Sequence, residues 1–192
     1  AVAPYAPDLE AQLDTALDWS EWSVPGAQSQ GFAAAVEMCN NNGHCRKFDA
    51  GTMCPSWRVT RDEQHSTRGR ANTLRLALSG QLGADAFTSD AVKDALDLCV
   101  GCKGCKRDCP TGVDMAKMKI EFMAHYKQRH GWTRKDKLIA RLPDYARALS
   151  ALPWLANARD TLPFAAALSE KWLGLSAKRS LPKWRRDTFW RT

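Results

Sequence analysis

Four of the chain's seven cysteines lie within the twelve residues CVGCKGCKRDCP, which run from Cys99 to Pro110. Cysteines that are clustered in this way and kept reduced indicate a metal site. A disulfide framework is disfavoured, because seven is an odd number and the chain shows no cationic start leading into an apolar run that would indicate a secretory signal. The cysteines therefore predict a metal-thiolate site.

The spacing indicates which kind of site this is. Gaps of two, two and three residues followed by a proline are typical of cysteines that hold a [4Fe-4S] cluster. Gly101 and Gly104 suit a loop whose backbone passes close to the cluster, and we expect Cys109 and Pro110 to begin the next helix. Structural zinc is the alternative, since paired cysteines also bind zinc. Three cations offset the charge of an anionic cluster, namely Lys103, Lys106 and Arg107.

A second Cys-Pro pair, Cys54-Pro55, indicates that the ligands are exchanged between two sites. In two-cluster ferredoxins the cysteine before the proline binds the other cluster. The first site, a [4Fe-4S] cluster, then has the ligands Cys54, Cys99, Cys102 and Cys105. The second site has Cys39, Cys45 and Cys109, which suit a [3Fe-4S] cluster or a [4Fe-4S] cluster with a further ligand from His44, Asp49 or water. The alternative is a single cluster, with Cys39 and Cys45 as buried thiols.

The remaining pattern predicts an all-α protein. Apolar periodicity predicts helices over residues 8–19, 31–38, 67–81, 89–99, 113–130 and 134–142. Ser66 or Thr67, Ser89 and Thr133 are their candidate N-caps. Four prolines then divide the chain into short helices, namely Pro143, Pro153, Pro163 and Pro182. We expect a linker and helix over residues 1–30, a cluster-binding helical domain over 31–142, and a Pro- and Trp-rich helical extension over 143–192.

Charge is distributed unevenly along the chain, whose formal net charge is +7. No Lys or Arg precedes Arg46, whereas seven of the eight charged residues from Lys171 onward are basic. A basic tail on a balanced body predicts a docking surface, with contact to another domain or partner ahead of an anionic membrane surface. Trp184, Phe189 and Trp190 lie in this tail. No nucleic-acid-binding module is recognisable, and no apolar run is long enough to span a bilayer.

Two segments, MCNNNGHCRKFDAGTMCPSWRVTRDEQHSTRGRANTLR and CVGCKGCKRDCPTGVDMAKMKIEF, resemble the iron–sulfur part of FAD-linked oxidases. That family includes D-lactate dehydrogenases, D-2-hydroxyglutarate dehydrogenase-like proteins and glycolate oxidase-related proteins. The helical arrangement is also similar to the C-terminal half of the succinate dehydrogenase iron–sulfur subunit, which carries a three-iron cluster beside a four-iron one.

The resemblance implies electron transfer from FAD in an upstream domain to an external acceptor, such as a quinone, a cytochrome or an electron-transfer protein. It implies a 2-hydroxy-acid substrate, no catalytic residue in this segment and, often, a further cysteine-rich domain downstream. We expect a cytoplasmic protein, peripheral at the inner face of the membrane if the tail binds lipid. The alternatives are a separate iron–sulfur subunit of a quinone-linked or heterodisulfide-reductase-type complex, and a zinc or cluster module with a structural or sensor role. Arg68 and Arg70 could face a cluster, the carboxylates of a flavin domain, or solvent.

Overall fold

The computed structural model describes residues 13–27 and 29–188, and these residues form helices and loops without a strand. The predicted all-α class is therefore confirmed. The chain divides into two compact units between His130 and Gly131. Gly131 has a φ of 84°, a left-handed conformation that ends the preceding helix and that glycine adopts at little cost. This division lies before residue 142, the boundary that the proline pattern predicts.

The described residues of the first unit form six α-helices, several of which are joined by short 3-10 turns. They are α1 Gly31–Glu37, α2 Pro55–Thr60, α3 Thr67–Leu78, α4 Asp90–Asp97, α5 Gly104–Asp108 and α6 Met115–His130. Side-chain caps fix several starts, as the sequence predicted. The Ser66 hydroxyl accepts the N–H of Gly69 at 2.9 Å, and the Ser89 hydroxyl accepts that of Val92 at 3.4 Å. Each cap satisfies a backbone donor that the first turn of a helix leaves unpaired.

The core of this unit is built from α1, α3, α4 and α6. Leu74, Val92 and Phe122 are completely buried, and Phe32, Phe87 and Phe122 form a chain of edge-to-face ring contacts with centroids 5.7 and 5.8 Å apart. Burial of each such side chain stabilises the fold by about 2 kcal/mol. This core fixes the relative positions of the loops that carry the cysteines.

The helix predicted over residues 8–19 is wrong for its described part, since residues 13–19 contain no helix; residues 8–12 lie outside the described residues. Tertiary contacts determine the conformation of this segment. The backbone N–H groups of Ala16 and Leu17 donate to the carboxylate of Glu121, at 2.7 and 2.9 Å, rather than to carbonyls of their own segment. Trp19 adds a third hydrogen bond through its indole N–H, at 2.8 Å.

The second unit is a series of short helices. They are α7 Arg134–Ala140, α8 Leu142–Ala151, α9 Pro153–Ala156, α10 Ala158–Thr161 and α11 Ala165–Leu173. Thr133 and Asp136 form the predicted capping box at the start of α7. No residue of the described part of this unit, 131–188, is buried. Phe164 is 87% exposed and Trp154 is 67% exposed, so the apolar side chains of this unit have no core of their own.

Candidate iron–sulfur centres

The first unit contains a cavity lined by four thiols from two distant parts of the chain. Three of them come from the loop before α5 and from α5 itself, and the fourth is Cys54, the N-cap of α2. The four residues are Cys54, Cys99, Cys102 and Cys105. Cys54 and Cys105 are buried, whereas Cys102 is exposed. The cavity therefore reaches the protein surface at Cys102.

A second cavity is lined by the three remaining cysteines. Cys39 follows α1, Cys45 lies in the 3-10 turn His44–Arg46, and Cys109 ends α5. Cys39 and Cys45 are buried, and Cys109 is partly exposed. His44 and Asp49 do not line this cavity. Oxygen-bearing side chains that do line it include Asn42, Thr67 and Thr111.

Cys54 and Cys109 thus lie at the cavities that the exchange of ligands requires. Cys109 is four residues from Cys105 in sequence but lines the other cavity, while Cys54 lines the cavity of Cys105. All seven cysteines are free thiols. Within residues 13–27 and 29–188, no three Cys, His, Asp or Glu side chains are grouped so as to hold a single metal ion; the thiols surround two spaces instead.

The two Cys-Pro pairs have different local structures. Pro55 occupies the first turn of α2, where a missing N–H costs nothing, as expected for a proline after an N-cap. Cys109 and Pro110, by contrast, do not begin a helix, so that expectation is wrong. They form a turn through Gly112, whose φ is 68°, and α6 starts only after Asp114, which accepts the N–H of Lys117 at 3.0 Å.

A hydroxyl two residues after each of these cysteines contacts its sulfur. The Ser56 Oγ lies 3.5 Å from the Cys54 Sγ, and the Thr111 Oγ1 lies 3.3 Å from the Cys109 Sγ. Sequence reasoning missed both hydroxyls, although the repeated pattern Cys-Pro-Ser and Cys-Pro-Thr was available as the signal. Hydrogen bonds to sulfur are one of the means by which a protein sets the potential of a cluster.

The surroundings of the thiols favour different protonation states. Burial raises the pKa of Cys54, but the Ser56 hydroxyl and the Arg70 guanidinium outweigh burial, so its pKa is lowered. Burial raises the pKa of Cys105 to about 11, against the effect of N–H groups at the start of α6, from Met115 and Ala116. Burial likewise raises the pKa of Cys45. Because metal ligation requires thiolates, Cys105 and Cys45 ionise readily only when a cationic metal is present.

The donor set fits iron–sulfur clusters. Two neighbouring cavities are lined by four and by three free thiols, and their walls carry arginines, hydroxyls and the N-terminal end of the long helix α6. Arg70 lines the first cavity and Arg68 the second, so both arginines face the thiol sites. A helix N-terminus and cations stabilise an anionic group. The fold and these sites are those expected of a class of protein, the helical domains that bind two iron–sulfur clusters.

The comparison with protein families agrees with this class. Residues 35–113 match the family described as "4Fe-4S dicluster domain", a stretch that includes all seven cysteines. Residues 35–113 are thus similar to 4Fe-4S dicluster domains, and the predicted iron–sulfur chemistry is confirmed at that level. No solved structure matches the chain.

Several curated proteins are similar to the chain. A D-2-hydroxyglutarate dehydrogenase of Escherichia coli (strain K12) is 29% identical over 187 residues, which cover 79% of this chain and 18% of the relative. The D-2-hydroxyglutarate dehydrogenase of Pseudomonas putida is 29% identical over 197 residues, covering 86% of this chain and 18% of the relative. The "Probable glycolate oxidase iron-sulfur subunit" of Bacillus subtilis is 31% identical over 70 residues, covering 35% of this chain and 15% of the relative.

These relatives confirm the resemblance to the FAD-linked oxidase group. The chain spans about a fifth of the length of the D-2-hydroxyglutarate dehydrogenases that it matches, at 18%. Among the described residues, no helix is both long and apolar enough to cross a membrane.

Proposed function

We propose that this chain is the electron-transfer segment of a flavin-dependent 2-hydroxy-acid dehydrogenase. The observation that supports the proposal is that Cys54 lines one thiol cavity with Cys99, Cys102 and Cys105, whereas Cys109 lines a second one, an arrangement that a single structural metal site does not need. When bound, iron–sulfur clusters supply one-electron redox chemistry at nearly fixed geometry. A segment that holds two of them side by side suits the transfer of single electrons.

The ligands follow from the lining of the cavities. Cys54, Cys99, Cys102 and Cys105 hold a [4Fe-4S] cluster at the first. Cys39, Cys45 and Cys109 hold the second cluster, either a [3Fe-4S] cluster or a [4Fe-4S] cluster with one further ligand. His44 is disfavoured as that ligand because it does not line the cavity, which leaves water or one of the lining oxygen groups.

Buried apolar side chains cover the inner wall of each cavity and fix the thiols there. Met115 and Ala116 cover the first cavity and are 1% and 4% exposed, and Met53 and Val113 cover the second at 4% and 1%. Thr67, which is 2% exposed, lines both cavities, so the first turn of α3 lies between them. A separation this short favours rapid electron exchange between the two sites.

The names of the relatives suggest the reaction of the whole protein. D-2-hydroxyglutarate dehydrogenase and glycolate oxidase both act on 2-hydroxy acids, so we assign this chain a substrate of that class. FAD and the substrate site belong to other parts of the full-length protein, upstream of this segment. The glycolate oxidase relative is named as an iron–sulfur subunit, which favours a separate electron-transfer subunit as the second candidate.

The second unit supplies a contact surface. Its exposed large apolar side chains include Ile139, Trp154, Leu155, Leu162, Phe164, Leu168 and Trp172. Exposed apolar side chains that form a patch mark an interaction surface, and we propose that these side chains contact other domains of the full-length protein or the electron acceptor. Peripheral membrane contact through the basic tail is the second assignment; Phe189 and Trp190 of that tail lie outside the described residues.

Metal and sulfide analysis tests the proposal. The chain is purified without oxygen, iron, zinc and acid-labile sulfide are measured per chain, and EPR spectra are recorded after reduction. About eight irons indicate two four-iron clusters, about seven indicate a three-iron site, and about four indicate one cluster. Zinc without sulfide contradicts the proposal. For the whole protein, reduction of the clusters by a D-2-hydroxy acid in the full-length enzyme is expected, and failure with every such acid contradicts the assigned reaction.

A further inference from the structure

A buried arginine lies against the first thiol cavity. Arg70 of α3 is 1% exposed and lines the cavity together with its four cysteines. Its Nη1 lies 3.6 Å from the Cys54 Sγ, its Nη2 donates to the Ser56 hydroxyl at 2.9 Å, and its Nε donates to the Ala95 carbonyl at 2.8 Å. The guanidinium is thus held rigidly beside one of the four sulfurs.

The charge of Arg70 is not balanced by a carboxylate. Its hydrogen bonds go to a thiol, a hydroxyl and a carbonyl, and it forms no ion pair with the acidic residues of the described chain. A buried charge without a counter-charge is strongly unfavourable. Its natural counter-charge is an anionic group inside the cavity, which a cluster bound by four thiolates provides.

The second cavity has an arginine as well, but its charge is balanced. Arg68, two residues earlier on α3, lines that cavity, and its Nε lies 2.7 Å from the Glu63 carboxylate. Glu63 lies also 3.8 Å from Arg46, and the side chain of Arg68 is 21% exposed. The field of Arg68 at the second cavity is therefore reduced both by the carboxylate and by solvent.

The other charges near the first cavity do not cancel Arg70. Lys103 lines the cavity, but it is 57% exposed and pairs with the buried Asp114 at 3.4 Å; Lys106 lies 3.7 Å from the same carboxylate. Lys119 donates to the backbone carbonyl of Cys99 at 2.8 Å and adds positive charge on that side. The buried Asp114 carboxylate also acts on Cys105, whose pKa it helps to raise, but two lysines pair with it, whereas no carboxylate pairs with Arg70.

We propose that Arg70 raises the reduction potential of the cluster at the first cavity above that of the cluster at the second. The inference rests on the proposed function, because it requires both clusters. Reduction adds one electron to a cluster, here from a two-electron-reduced flavin that gives up its electrons singly, and a fixed positive charge favours the added electron. The thiols of the first cavity would then hold the cluster that is reduced first, and Cys102 is the exposed residue among them.

The experiment is a redox titration followed by EPR on the anaerobically purified chain. Wild type is compared with Arg70→Gln, Arg70→Lys and Arg68→Gln, and Cys102→Ser identifies the signal of the first cluster. We expect the first cluster to have the higher midpoint potential in wild type. Arg70→Gln should lower the midpoint of the first cluster and leave that of the second unchanged. Arg70→Lys keeps the positive charge, so its first midpoint should stay close to that of wild type. Arg68→Gln should change the second midpoint by less than Arg70→Gln changes the first.

The outcomes separate this inference from the proposed function. A chain without iron and sulfide contradicts the proposed function before any titration begins. If two clusters are present but the first has the lower potential in wild type, the inference is wrong, and this result needs no variant that must fold. Equal midpoints in wild type and Arg70→Gln also overturn it. A shift in Arg70→Lys as large as in Arg70→Gln shows that geometry rather than charge sets the potential, and it overturns the inference as well.

Discussion

The side chain of Asp108 accepts the backbone N–H of Thr52, with the Oδ2 atom 2.5 Å from the nitrogen. The same oxygen accepts the N–H of Met53 at 3.1 Å, and these hydrogen bonds lower the pKa of Asp108. Asp108 immediately precedes Cys109, and Met53 immediately precedes Cys54. One carboxylate therefore ties together the two cysteines that we expect to exchange sites.

Loss of the hydrogen bonds of Asp108 should weaken cluster binding at both sites. In Asp108→Asn the carboxylate charge disappears, and we expect iron to be lost to a chelator about ten-fold faster, the usual effect of removing a residue that orients metal ligands. Release of iron is followed by absorbance. Asp94→Asn, at an exposed position of α4, is the matched control and should lose iron at the wild-type rate. Equal rates in both variants contradict a supporting role for Asp108.

The exchange of ligands is tested by two single substitutions. Cys54→Ser should damage the cluster held with Cys99, Cys102 and Cys105, because Cys54 lines their cavity. Cys109→Ser should damage the other cluster, because Cys109 lines the second cavity with Cys39 and Cys45. EPR spectra and iron content of the two variants are compared. If Cys109→Ser destroys the first cluster and Cys54→Ser leaves it intact, the exchange is wrong.

Glu121 should stabilise the first unit through its contacts with the segment before α1. It is fully buried and accepts four hydrogen bonds, from Ala16, Leu17, Trp19 and His125. Glu121→Gln replaces one acceptor oxygen by a donor, so we expect a loss of about 3 kcal/mol in the free energy of unfolding. Denaturant unfolding measures it. Glu37→Gln, at an exposed position, should change stability by less than about 0.5 kcal/mol.

The contribution of Glu121 to the free energy of unfolding should decrease as the pH falls. Burial raises its pKa, but the four hydrogen bonds outweigh burial, so the pKa is lowered. A lowered pKa means that the contribution is present above the ordinary carboxyl pKa and is lost as the pH falls through the lowered value. The stability difference between wild type and Glu121→Gln should therefore be constant above about pH 5 and shrink below about pH 4. A difference that grows on acidification contradicts this assignment.

Gly69 should be intolerant of any side chain. A Cβ added there would lie 2.0 Å from the Glu63 carbonyl oxygen, which is backbone and cannot rotate away. Gly69→Ala should therefore lower the free energy of unfolding by about 3 kcal/mol. Gly83→Ala is the control, because its Cβ meets nothing within 4 Å and only its φ of 102° opposes the change, at a cost of about 1 kcal/mol. Equal losses contradict a steric cause.

Much of the fold was predictable because its signals are local. Ser66, Ser89 and the Thr133–Asp136 box cap the helices that the periodicity predicted, since a cap depends on residues three positions apart. The helix predicted before Trp19 failed because its backbone donors bind Glu121, more than a hundred residues away in the chain. The helix start expected at Cys109 failed because Gly112 and Asp114 displace it to Met115.

The sequence by itself determined the chemistry, because the type and spacing of Cys99, Cys102, Cys105 and Cys109 constrain which metal group such a loop can hold. It also raised the exchange of Cys54 and Cys109 as a hypothesis. Only the tertiary structure decided what surrounds the thiols. Arg68 and Arg70 are two residues apart on one helix, yet one is balanced by Glu63 and the other is buried beside Cys54 without a carboxylate. Burial and counter-charges depend on which distant segments pack together, and no local pattern encodes that packing.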